Sequence, residues 1–167
     1  MKQPPEPSPE GEESDPVELA KALALRRLGR LPQTEAQLSE YLQRKGVPES
    51  AVEAVVARMV ELRLVDDAEY AAMWVRSRRA IRKSGAAVIR RELQQRGVAA
   101  ELVQAALDSE PVDEEQLARE LAARKWQSLA RLDDSARANR VVGFLVRRGH
   151  GVGTAYRVVA ELRSEDI

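Results

Sequence analysis

Cysteine is absent from this chain and histidine occurs once, as His150. Without thiols there is no disulfide, no thiolate zinc site and no cysteine nucleophile, and one lone imidazole leaves a serine nucleophile short of a base. Aromatic residues are only 4% of the total, and valine apart, strand formers are scarce. No run approaches the roughly 18 apolar residues of a membrane span, and the opening MKQPPEPSPEGEESDP lacks the apolar centre of a secretion signal. The expectation is a soluble, cytoplasmic protein that is not an enzyme, needs no cofactor or metal and does not associate with membranes.

What is abundant points to helix. Ala, Leu, Val, Arg and Glu dominate, and charged residues reach 32% of the 167 residues, a mixture of good helix formers and small apolar side chains. The formal net charge is zero, but residues 1–15 set Lys2 against Glu6, Glu10, Glu12, Glu13 and Asp15, a net −4 that leaves +4 for the remainder. This stretch also carries four prolines and no apolar residue beyond Met1, a composition too poor in burial to offset the entropy of ordering. It reads as a disordered acidic tail. From Pro16 the apolar spacing becomes helical, and proline suits a first helical turn, so a helix is expected over residues 16–29.

The chain is also self-similar. LSEYLQRKGV (38–47), IRRELQQRGV (89–98) and VVGFLVRRGH (141–150) each place an apolar residue eight before a glycine, leucine four before it and a basic residue directly before it. The glycines Gly46, Gly97 and Gly149 are 51 and 52 residues apart. The register persists beyond them through Val52, Val55 and Val56, then Val103, Ala106 and Leu107, then Ala155, Val158 and Val159. Upstream, Leu23, Trp74 and Trp126 each lie 23 residues before their glycine. This is one unit three times over: helix A, helix B stopped by a left-handed glycine, and helix C. Lys45, Arg96 and Arg148 before the glycines suit the negative helix end. The fold expected is all-α, an elongated array of three-helix repeats over residues 16–65, 66–111 and 112–163, with 164–167 a short C-terminal tail.

Features that could carry chemistry have plainer explanations. Asp66 with Asp67, and Asp133 with Asp134, precede helices and read as N-caps, as does Asp113, while Thr34 with Gln37 resembles a capping box. Trp74 and Trp126 share the repeat position of Leu23 and read as core. His150 reads as a solvated turn residue and receives no role. One region stands out: residues 76–96 hold eight basic residues against Glu92 alone, a net +7. Arg76, Arg78, Arg79, Arg82, Lys83, Arg90, Arg91 and Arg96 are the candidate partner-binding residues. Arg76, Arg79 and Lys83 share one face of helix A, and like charges so spaced gain most from an anionic partner.

The stretch LRLVDDAEYAAMWVRSRR (62–79), the segment GAAVIRRELQQRGV (85–98) and the tandem three-helix repeats resemble the RecX family, bacterial regulators of the RecA recombinase. The likeness covers residues 16–163 and is most specific at Asp66, Asp67, Tyr70, Trp74, Arg76, Arg78 and the helix of Ile89, Leu93 and Gly97. It implies a monomer that lies along the RecA filament on single-stranded DNA and restrains its ATPase, strand-exchange and co-protease activities, with single- or double-stranded DNA as a further ligand. The competing expectation is a stand-alone helix-turn-helix DNA-binding protein. Its recognition helix, AAELVQAALD (99–108), is acidic and offers only Gln104 to a base. A purely structural scaffold of stacked helices would leave the central charge unexplained.

Overall fold

The computed structural model describes residues 15–165. Among the described residues there are nine α-helices and no strand: α1 (Pro16–Leu28), α2 (Glu35–Arg44), α3 (Glu49–Glu61), α4 (Asp67–Arg82), α5 (Ala86–Gln94), α6 (Ala100–Ser109), α7 (Glu114–Ser128), α8 (Asp134–Arg147) and α9 (Val152–Glu165). The expected disordered tail falls on residues 1–14, outside those described. The expected C-terminal tail begins too early, since Ser164 and Glu165 complete the last turn of α9.

Helix boundaries follow from local chemistry. Pro16 opens α1 behind Asp15, whose carboxylate accepts the Val17 amide at 2.9 Å. Thr34 and Gln37 form a reciprocal capping box on α2. Asp66, Asp113 and Asp133 cap α4, α7 and α8 through their side chains, work worth about 1 kcal/mol each. Gly46, Gly97 and Gly149 adopt φ of 80°, 78° and 89°. In all three turns the amide after the glycine donates to the carbonyl of the leucine four residues before it (Val47 to Leu42, Val98 to Leu93, His150 to Leu145). That bond satisfies a carbonyl the helix end leaves open.

Each trio of helices closes on its own core. Leu38 and Leu42 meet Ala20, Ala24 and Val52 in the first, Ile89 and Leu93 meet Val75 and Val103 in the second, and Val141 and Leu145 meet Ala122, Trp126 and Val158 in the third. Helices B and C keep one register, counted from the glycine, in every repeat. Helix A does not. In the first two repeats its buried stripe lies 26 and 22 residues before the glycine (Ala20 and Ala24, Ala71 and Val75), whereas in the third it lies 27 and 23 before (Ala122 and Trp126). Helix A of the third repeat thus turns a face one residue along toward its core. Trp126 is therefore core at 3% exposure, while Trp74, its counterpart in the repeat, is only half-buried at the core's edge.

The first trio forms one compact unit ending at Val65, and the second and third together form another from Asp66 onward.

Candidate partner-binding surface

The basic stretch lies on α4 and α5, and its eight cations do different work. Glu92, its one carboxylate, accepts Arg78 Nε at 2.6 Å and the Trp74 indole N–H at 2.8 Å. The guanidiniums of Arg78 and Arg96 stack on the Trp74 ring at 4.0 and 3.8 Å from its centroid, and Tyr70 stacks beside it. Burial pushes the Glu92 carboxyl up, but the Arg78 and Trp74 hydrogen bonds and the charges of Arg78 and Arg96 prevail and hold it below the ordinary value. In the outer repeats the corresponding position is an aromatic ring, Tyr41 or Phe144, and there the cations preceding the glycine, Lys45 and Arg148, lie over it. The pre-glycine cation thus meets a π face in all three repeats.

Arg79 departs from the expected exposed face. It is 9% exposed, donates to the carbonyls of Leu107 and Glu110 at the end of α6, and lies 3.4 Å from Glu114 Oε1. It neutralises the negative end of α6 from inside the protein. The expectation of one exposed face carrying Arg76, Arg79 and Lys83 is therefore corrected. A 100° advance per residue puts these positions close together, but the C-terminal end of α6 packs against the last turn of α4 and covers Arg79. Lys83 lies beyond α4 in a left-handed turn, φ 51°, with Nζ 3.1 Å from Glu120. Arg76 stays exposed, paired with Glu110 at 3.1 Å and Glu69 at 3.4 Å. Arg90 donates to Gln104 at 3.0 Å. Arg82 and Arg91 are exposed.

His150 is also a correction. It is 4% exposed, not solvated, and the reason is legible in the repeat: its counterparts, Val47 and Val98, are buried too. The imidazole sits where the second and third repeats meet. Nε2 is 2.9 Å from the Lys83 carbonyl, which can only accept, so Nε2 carries a proton. Nδ1 lies 3.6 Å from Glu114 Oε2. Burial raises the Glu114 carboxyl, but the His150 ring and the Arg79 charge outweigh it and leave it below its ordinary value. The backbones touch at the same junction: Gly85 N–H donates to the Arg148 carbonyl at 2.9 Å, and Arg148 NH1 to the Arg82 carbonyl at 3.0 Å.

Beside this junction runs an open groove of about 530 Å³ lined by Ile81, Arg82, Ser84, Val88, Glu92, Arg147 and Arg148. Of these, Arg82 stood among the candidate binding residues, Glu92 as the lone acid of the basic stretch and Arg148 as the cation before Gly149. Arg147 carries no distinguishing local pattern. No group of three or more His, Cys, Asp or Glu side chains suited to a metal occurs among the described residues, and none of their helices is long and apolar enough to cross a membrane.

Tandem three-helix repeats with an arginine-rich middle repeat define a class: an all-helical tandem repeat protein. Comparison with known proteins narrows it. Residues 20–59, 66–107 and 113–159 match the first, second and third three-helix domains of RecX in turn. The chain is 41% identical over 164 residues to the regulatory protein RecX of Thermobifida fusca, covering 95% of this chain and 89% of that one. It is also 41% identical to that of Streptomyces coelicolor over 155 residues, covering 91% and 81%. A crystal structure of RecX from Lactobacillus salivarius shares the fold, with a TM-score of 0.80 at 18% identity over 90% of this chain and 98% of that one. The chain belongs to the RecX family of regulatory proteins.

Proposed function

We propose that this protein is a negative modulator of the RecA recombinase, binding along RecA filaments on single-stranded DNA and lowering their ATPase, strand-exchange and co-protease activities. Membership of the RecX family over nearly the whole chain is the observation that carries this reading. The arginine-rich surface of the middle repeat supports it, because exposed guanidiniums suit an acidic protein face or phosphates. The protein acts as a monomer in the cytoplasm and has no catalytic step of its own. A helix-turn-helix reading of α5 and α6 is disfavoured by α6 itself, where Glu101 and Asp108 flank Gln104 and Gln104 is already engaged by Arg90 and Asp108.

The test is the ATPase rate of RecA assembled on single-stranded DNA. Equimolar protein is expected to lower it, and no effect at large excess of folded protein would end the proposal. A salt titration against bare DNA separates filament binding from phosphate binding, since phosphate contacts weaken steeply with salt.

A further inference from the structure

From Asp66 onward, Arg76, Arg78, Arg79, Lys83, Arg119, Arg157 and Arg163 lie within ion-pair distance of a carboxylate. Arg82 and Arg147 have no carboxylate partner among the described residues, and both line the groove between the second and third repeats. Arg148 joins them, held in place by its bond to the Arg82 carbonyl and by the Phe144 ring.

On α8 the Arg147 guanidinium lies back along the helix against Gly143, where an added Cβ would stand 3.2 Å from NH1. At the other wall Ile81 is 77% exposed, the most exposed large hydrophobic side chain among the described residues.

We infer that this groove docks an acidic segment of a protein partner, one apolar side chain flanked by carboxylates. The apolar residue covers Ile81 and Val88, and its neighbours meet Arg82, Arg147 and Arg148, whose planar forks fit carboxylates in pairs. A nucleic acid backbone fits less well. It would leave Ile81 uncovered. The inference rests on the RecA reading only for the partner's identity.

The experiment compares R82E/R147E and I81D with the wild type and with R131E/R140E, whose exposed positions lie outside both the groove and the basic stretch. Folding is verified by circular dichroism. The probes are RecA filaments on single-stranded DNA, the same DNA bare, and a labelled pentapeptide with leucine between paired acidic residues. Both groove variants are expected to lose about tenfold or more in filament affinity, with R131E/R140E much less affected and bare-DNA binding unchanged. Unchanged filament binding overturns the inference, as does a loss on bare DNA equal to that on filaments, which would make this a phosphate groove. If wild type does not bind filaments, the RecA reading fails by itself and the pentapeptide decides. Peptide binding lost in both groove variants supports the groove, and no binding to wild type overturns it.

Discussion

The backbone of Gly85 lies directly against that of Gly149, so that a Cβ added at Gly85 would fall on the Gly149 carbonyl. A Cβ on Gly149 would meet the Val88 Cβ at 2.8 Å. The middle and third repeats therefore join through two glycines 64 residues apart in the chain, with His150, Lys83 and Arg148 closing the contact around them.

Alanine at Gly85 should loosen this junction at a cost of about 1–3 kcal/mol for overpacking. Gly149→Ala should cost more, because a left-handed φ of 89° adds strain of about 1–2 kcal/mol. Gly46→Ala should cost only the strain, since nothing lies within 4 Å of its Cβ position. Both tryptophans lie beyond Val65, so urea unfolding followed by tryptophan fluorescence reads the first two variants. Circular dichroism reads the third. Equal losses at Gly46 and Gly149 would show that the packing contact contributes nothing.

Reversing Arg79 should unfold the second repeat, whereas reversing Arg76 should not. Arg79→Glu buries a carboxylate against the Leu107 and Glu110 carbonyls and Glu114, a loss of about 3–5 kcal/mol or more. Arg76→Glu breaks only exposed, solvent-screened pairs and should change stability little. Thermal melts of the two variants make the comparison, and similar melting temperatures would contradict the burial of Arg79.

Trp126→Ala should cost about 3–5 kcal/mol as a large buried deletion. Trp74→Ala should cost less, because its ring is half-exposed, but it releases Arg78 and Arg96 from their stacking. The ranking is checked by denaturant midpoints, and a larger loss at Trp74 would reverse the assignment of core and edge.

Acid should destabilise the second unit through Glu92 and Glu114. Both carboxyls have folded values below the 4.5 of a free glutamate, so their stabilisation is complete above that value and is lost as pH falls through the lowered folded values. Urea midpoints between pH 7 and pH 3 should fall on the acid side, and more shallowly in E92Q and E114Q, which are already weakened at neutral pH. A variant profile parallel to wild type would remove that carboxylate from the account.

Local features were legible in the sequence. The charge cluster and the N-caps needed only neighbouring positions, and the same periodicity that put Arg76 near Arg79 on one helix face could not say that α6 lies over one of them. His150 was within reach of comparison with Val47 and Val98, had its place in the repeat been weighed above its polarity. Arg147 was not, because its relation to Arg82 exists only once the repeats pack.

By itself the sequence determined the helices, their caps, the left-handed glycine turns and the threefold unit. Each depends on residues within a few turns of one another, where periodicity and backbone sterics decide. Only the tertiary structure decided which cations are exposed, that Trp126 and not Trp74 fills a core, and that Arg82 meets Arg148 across 66 residues. Those outcomes depend on which face each helix A turns to its core and on how closely two glycine backbones approach, and neither is written in any local pattern.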